Sequence, residues 1–146
     1  MRDAAAIADA ALVLRTHSRG PKSPTTALGA AIETGLAYLD QQPNCWTQTL
    51  DISGDGQSNT GPRPQDVARP ANTIVNGLVI GADDPNIGDA RHADIKELSS
   101  YYTAYVISGP GAFVETASGF ANYAAAMERK LLRELQVIAI GHLSDQ

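Results

Sequence analysis

The sequence predicts an α/β fold, a parallel sheet flanked by helices. Apolar, β-branched runs at 46–53, 73–80 and 105–107 alternate with stretches of helical period. Strands separated by helices pair in parallel through right-handed crossovers. The second run, Thr73-Ile74-Val75-Asn76-Gly77-Leu78-Val79-Ile80, is mostly apolar, which suits a strand buried on both faces. The first run passes into Ser53-Gly54-Asp55-Gly56-Gln57-Ser58-Asn59-Thr60-Gly61, a cluster of small polar, acidic and glycine residues. A buried strand that opens this way feeds a loop at its C-terminal end, where open α/β sheets hold ligands.

Taken in order, residues 3–15 are Ala-rich, and Ile7, Ala11 and Leu14 share one side of a helix. Gly20, Pro21 and Pro24 cannot continue it, so a loop follows. Thr25 and Thr26 are placed to cap a second helix over 27–40. Its buried face is Leu28, Ala31, Ile32, Leu36 and Leu39. The first strand runs from Trp46 to Ser53, with Thr47, Thr49, Leu50 and Ile52 giving it β character. Residues 65–69 form a short helix stopped by Pro70, and the second strand follows. Residues 81–93 read as a long acidic loop and 94–102 as a short helix. Tyr105-Val106-Ile107 reads as a third strand, stopped at Ser108-Gly109-Pro110-Gly111, and 112–116 is extended. The last element is a helix over 119–135. Phe120, Tyr123, Ala124, Met127, Leu131 and Leu135 line its buried face, with Glu128, Arg129, Lys130 and Arg133 mostly on the solvent side. Residues 137–140 either extend it or pair elsewhere.

The chain of 146 residues is read as one domain, 43% hydrophobic, enough for a real core built mainly of small side chains. Its net charge of −5 and dispersed bases argue against a nucleic-acid face. No apolar run is long enough to span a membrane, and the N-terminus does not resemble a secretory signal. A single cysteine, Cys45, excludes a disulfide within the chain. It is read as a packed or idle thiol. His17, His92 and His142 show no metal-ligand spacing and are read as surface residues. Asp83, Asp84 and Asp89 read as a solvated acidic loop, and Tyr101, Tyr102 and Tyr105 as packing. Ser53 and Ser58 lie in no nucleophile elbow.

Asp51, Ser53 and Asp55 alternate and are followed by Gly56, a pattern of oxygen ligands that suits a hard cation such as Mg²⁺ or Ca²⁺. An EF-hand loop fails at its last position, where Pro62 stands in place of a bidentate Glu. A second arrangement uses Asp55 alone, from the strand's end. A hydroxyl from Thr25 or Thr26 and several waters complete the shell.

Several segments in order resemble the later motifs of von Willebrand factor A domains. They are Pro24-Thr25-Thr26-Ala27-Leu28-Gly29, Leu50-Asp51-Ile52-Ser53-Gly54-Asp55-Gly56, Ile74-Val75-Asn76-Gly77-Leu78, Tyr101-Tyr102, residues 106–114 and the closing helix. The likeness covers roughly residues 20–135, and is closest to an uncharacterised bacterial subfamily, a domain of unknown function whose members are usually exported. It implies a doubly wound, Rossmann-type parallel sheet and a metal-ion-dependent adhesion site built from three loops. Thr25, or Thr26 in its place, corresponds to the second-loop residue and Asp55 to the third. The first-loop motif, Asp-x-Ser-x-Ser, does not precede Thr25. The resemblance therefore implies a single partial domain over 1–146, incomplete at its N-terminus, and an exposed strand edge that a homodimer or partner chain would cover.

These readings imply a non-catalytic protein-interaction module. A protein ligand would bind at the C-terminal edge of the sheet, with Asp55, Thr25 and Thr26 as ligands of a weakly held divalent cation such as Mg²⁺. Ser53, Ser58 and Asn59 would shape the rim. The alternatives are a Mg²⁺-dependent hydrolase using Asp51 and Asp55, and a fragment without independent function. No nucleic-acid or membrane partner is expected. The N-terminus is not expected to act as a signal peptide; the resemblance alone implies an exported or periplasmic protein.

Overall fold

A computed structural model describes residues 3–18, 20, 25–42, 44–45, 47–81 and 88–141, with the side chains of 88–93 and 136–141 outside the description. The elements in order are helix α1 (Ala4–Thr16), helix α2 (Leu28–Leu39), strand β1 (Gln48–Gly54), strand β2 (Thr73–Ile80), helix α3 (Gly88–Tyr101), strand β3 (Val114–Ala117) and helix α4 (Tyr123–Gly141). Single 3₁₀ turns stand at Pro64–Asp66 and Phe120–Asn122. The sheet has the order β1-β2-β3 and is parallel throughout, with Asp51 beside Asn76 and Gly77 beside Val114. The expected parallel α/β sheet with flanking helices is therefore present.

The central strand β2 is buried along almost its whole length, as its apolar composition predicts. Its odd-numbered side chains Val75 and Val79 meet Leu28, Ile32, Ile52, Leu98, Tyr102 and Val106 in the larger core, on the side of α2 and α3. Leu78 points the other way and packs with Ala117 and Ala126 beneath α4, with Tyr123 and Met127 at the margin. The molecule is thus three layers deep, helices on both faces of the sheet.

Several expectations need correction. Residues 105–107 are not a strand. Helix α3 begins at Gly88, inside the expected acidic loop, and runs on into a π-helical turn, Tyr102–Val106. That turn buries Tyr102 and Val106 on one side and leaves residues 103–105 exposed. Only Ser108 touches the sheet there, through an isolated antiparallel bridge to Val75. The N-cap of α2 is Ala27, whose side chain offers no cap, so Thr25 and Thr26 do not cap it. Helix α4 extends through residues 137–140. Its inward stripe is Tyr123, Ala126, Met127, Lys130 and Glu134; Phe120, Leu131 and Leu135 are exposed. No residue of α1 is buried, so the expected face of Ile7, Ala11 and Leu14 covers nothing among the described residues. Cys45 is exposed, not packed. His92 lies in the helix α3 backbone, not a loop, while Trp46, Asp83, Asp84 and His142 fall outside the described residues. No helix is long and apolar enough to cross a membrane.

Candidate functional site

At the C-terminal end of β1 the chain turns out of the sheet at Asp55 and Gly56 and runs back along the start of α2. Two segments 30 residues apart are laced together there. The Thr26 N–H donates to Asn59 Oδ1 at 2.9 Å, and the Asn59 N–H returns a bond to the Thr26 carbonyl at 2.9 Å. Ser58 Oγ accepts from the Leu28 N–H at 3.2 Å and lies 3.4 Å from the Thr26 carbonyl oxygen. Ser58 therefore supplies, from a distant loop, the cap that Ala27 lacks. A helix's first N–H groups have no partner within the helix, so such an acceptor anchors the loop and α2 to each other. The Ser58 N–H in turn donates to the Tyr101 hydroxyl at 3.3 Å.

The structure brings Thr26, Asp55, Gly56, Ser58 and Asn59 to one corner of the sheet. A side chain at Gly56 would lie 3.4 Å from Thr26 Oγ1. The Asp55 carboxylate is exposed. Thr25 is exposed too and takes no described part in the lacing. Among the described residues no three His, Cys, Asp or Glu side chains converge as metal ligands. A carboxylate with one hydroxyl fits a water-rich, weakly held cation, not a dehydrated one.

On the other side of Asp55 lies a cavity of about 270 Å³, walled by Asp55, Gly56 and Gln57 from the loop, Ile80 and Gly81 at the end of β2, and Asp94, Ile95, Glu97 and Leu98 of α3. Gln57 Nε2 donates to Glu97 across its mouth at 3.2 Å. Beneath this corner Tyr102 is completely buried and its hydroxyl has no hydrogen-bond partner among the described residues. That oxygen sits against Gly54, where an added Cβ would lie 2.5 Å away. Burial, and secondarily the charges of Asp55 and Tyr101, push the Tyr102 phenol well above its ordinary value. Because the folded value is raised, its contribution to stability is complete below the unfolded value of about 10 and is lost as pH rises past it. Tyr102→Phe removes a hydroxyl that is desolvated without compensation, so it should leave stability unchanged or raise it by about 1 kcal/mol in urea unfolding. A loss of that size would mean the hydroxyl has a partner.

Asp51 and Ser53 do not join this corner. Their side chains leave β1 on the α4 face. Asp51 instead pairs with Lys130, which is fully buried. Lys130 Nζ also donates to Glu134 at 2.6 Å, and Glu134 accepts from Asn76 Nδ2 at 2.7 Å. Asn76 Oδ1 takes the Phe113 N–H at 3.1 Å. The Arg133 guanidinium stacks 3.9 Å from the Phe113 ring centre. This polar cluster, whose Lys130 and Arg133 the sequence places on the solvent side, ties α4 to the sheet. Its only signal in the sequence is the polar pair Asp51 and Asn76 in strands, together with Lys130 and Glu134 four apart on a helix.

No curated protein and no solved structure matches the chain. A family described as "protein of unknown function (DUF1194)" matches it over residues 1–139. With that match covering nearly its whole length, the chain belongs to the DUF1194 family.

Proposed function

We propose that this chain is a non-catalytic protein-interaction module, a von Willebrand factor A-like domain with a degenerate metal-ion-dependent adhesion site. The observation that carries the reading is the lacing of Thr26 to Asn59 beside Asp55, at the C-terminal end of a parallel strand. Asp55 would hold a divalent cation such as Mg²⁺ together with the Thr26 hydroxyl, with Thr25 as the alternative, and Ser58 and Asn59 would form the rim. A bound cation would leave a coordination position for a carboxylate of a protein ligand. Ser58 and Asn59 keep the loop seated on α2, so that Asp55 is presented at a constant distance from the helix start. Ser53, on the other face of β1, is at most a marginal contributor to the rim. The motif order in the sequence supports the von Willebrand factor A-like reading, and the same resemblance is what suggests export.

The hydrolase alternative asks Asp51 and Asp55 to share one substrate. Asp51 is held by Lys130 under α4, while Asp55 lines the cavity beside α3. No observation favours that reading over the interaction module. Calorimetric titration of Mg²⁺, Mn²⁺ and Ca²⁺ tests the proposal. The expected outcome is weak, saturable binding that disappears in Asp55→Ala, with the fold unchanged by circular dichroism. No binding by the unmutated protein would remove the cation from the reading. Turnover of a panel of phosphoesters would favour the hydrolase.

A further inference from the structure

Asp55 and Asn76 are each followed directly by glycine, and no other aspartate or asparagine of the chain is. That neighbour matters chemically. The side-chain carbonyl carbon of either residue lies within reach of the next residue's amide nitrogen, and a bond between them closes a succinimide ring. Glycine resists this least, because it has no Cβ to block the approach and its backbone turns most freely. Asparagine closes the ring faster than aspartate, since a neutral amide is a better electrophile than an ionised carboxylate. By sequence alone, Asn76–Gly77 is the more reactive pair.

The fold reverses that order. Asn76 is buried in the central strand, and its amide is held at both ends. Nδ2 donates to Glu134 at 2.7 Å and Oδ1 accepts the Phe113 N–H at 3.1 Å. The Gly77 N–H, which would have to attack, donates to the Phe113 carbonyl at 2.9 Å. Gly77 is also crowded, since an added Cβ would lie 2.9 Å from the Tyr102 ring. Ring closure there requires the strand to open and all of these bonds to break. Asp55 and Gly56 are in the opposite position. The β1–β2 ladder stops at Gly54, opposite Val79, and the next two residues form a bend outside any element. Asp55 is exposed, and among the described residues no hydrogen bond holds its carboxylate or the Gly56 N–H. A Cβ at Gly56 would meet only Thr26 Oγ1, at 3.4 Å. The chain is fastened again at Ser58 and Asn59. Asp55–Gly56 is thus the free span between the last rung of the strand and the lacing onto α2.

We propose that Asp55–Gly56 is a site of spontaneous isoaspartate formation in the folded protein, and that the fold shields Asn76–Gly77 from the same chemistry. The Gly56 nitrogen attacks Cγ of the protonated Asp55 carboxyl group and gives up its proton, and the carboxyl hydroxyl leaves as water. A second water opens the succinimide at one of its two carbonyls. Attack at Cγ breaks the new bond and restores aspartate. Attack at the main-chain carbonyl carbon breaks the old peptide bond instead, and the chain then runs through the former side chain. One water leaves and one enters, so nothing is oxidised or reduced. The backbone between Gly54 and Gly56 gains one atom, and the free carboxylate moves to the former main-chain carbon. The product is a substrate for the class of S-adenosylmethionine-dependent methyltransferases that esterify isoaspartyl carboxylates. The inference does not depend on the proposed cation site, since the acid is moved whether or not it holds a cation.

The test incubates the full chain for several weeks in heavy-oxygen water near neutral pH, without added metal. Each ring opening leaves one heavy oxygen in the product, aspartate and isoaspartate alike, and fragment masses locate it. Isoaspartate itself is scored by methyl transfer from labelled S-adenosylmethionine with a protein isoaspartyl methyltransferase. The expected result is heavy oxygen and methyl acceptance at Asp55 accumulating several-fold faster than at Asp51 or Asp66, with Asn76 unconverted. In urea the order should reverse, and Asn76 should convert first. Gly56→Ala, whose Cβ has room, should slow labelling at Asp55 several-fold. Asp55→Glu should remove methyl acceptance from this position, because the longer side chain closes its ring far more slowly; it serves as the second variant if Gly56→Ala does not fold. The proposal is overturned if Asp55 labels no faster than Asp66 in the folded chain, or if Asn76 converts first without denaturant. It is also overturned if Gly56→Ala, folded by circular dichroism, labels as fast as the parent, or if methyl acceptance persists in Asp55→Glu.

Discussion

Lys130→Met should destabilise the protein by about 3 kcal/mol, read as a lower urea midpoint with an unchanged slope. Lys130 has no exposed surface, and its ammonium lies between Asp51 and Glu134. Methionine keeps the apolar stem and removes the charge, so the loss comes from two carboxylates left facing each other without a cation. Removing one partner of a buried ion pair costs about 3–5 kcal/mol. The Asp51 side chain is 31% exposed and recovers part of its solvation, which places the expectation at the lower end. Asn76 adds to the cost, since its amide is held by the same Glu134 oxygen that takes Lys130. The companion experiment neutralises the cluster as a whole, combining Lys130→Met with Asp51→Asn and Glu134→Gln. It should recover most of the loss, because a buried pair replaced by uncharged groups of similar shape is often close to neutral. A cost below about 1 kcal/mol for Lys130→Met alone is what an exposed pair would show, and would mean that α4 does not bury this residue.

The second large effect is expected at Gly29. In an open helix, alanine in place of glycine is stabilising by about 1 kcal/mol. Here the new Cβ would lie 2.0 Å from the Pro62 carbonyl oxygen and 2.7 Å from its carbon. No side-chain rotation relieves a collision with backbone, so either α2 or the 58–63 loop must move. Overpacking of this kind costs about 1–3 kcal/mol, and the propensity gain offsets only part of it. Gly29→Ala should therefore lower the melting temperature, while Gly20→Ala, which meets nothing within 4 Å, should not. Because Ser58 caps α2 from the same loop, Gly29→Ala should also loosen the Thr26–Asn59 bonds, visible as faster exchange of those two amides. Gly29→Ala as stable as the parent would show that the loop does not lie against α2.

Short runs specify their own secondary structure most weakly. Tyr105-Val106-Ile107 has strand composition, yet it lies in and just after a π-helical turn. Three β-prone residues are too few to resist their neighbours. Continuing α3 buries Tyr102 and Val106 together against the sheet, which a free strand there would not do. Helix α4 departs from its apolar pattern for a related reason. An apolar stripe predicts which face turns inward only when the surface beneath it is apolar. The sheet offers Asp51 and Asn76 at that place, so Lys130 and Glu134 turn inward and Leu131 and Leu135 stay out.

The candidate site divides in the same way. Its position, at the loop after the first strand, was legible from the change of composition at Ser53, and Asp55, Ser58 and Asn59 do gather there with Thr26. The likeness among Asp51, Ser53 and Asp55 was misleading, because alternate residues share one face only while the strand lasts, and Asp55 is already past its end. What the chain by itself determined is therefore local: the order of its elements, their parallel arrangement, and a central strand buried on both faces. These follow from hydrophobic period and from turn residues, which act over a few positions. Only the tertiary structure decided which charged residues are buried and which loop caps α2. Each of those depends on a partner distant in sequence, and the energy of a buried charge is set by what faces it.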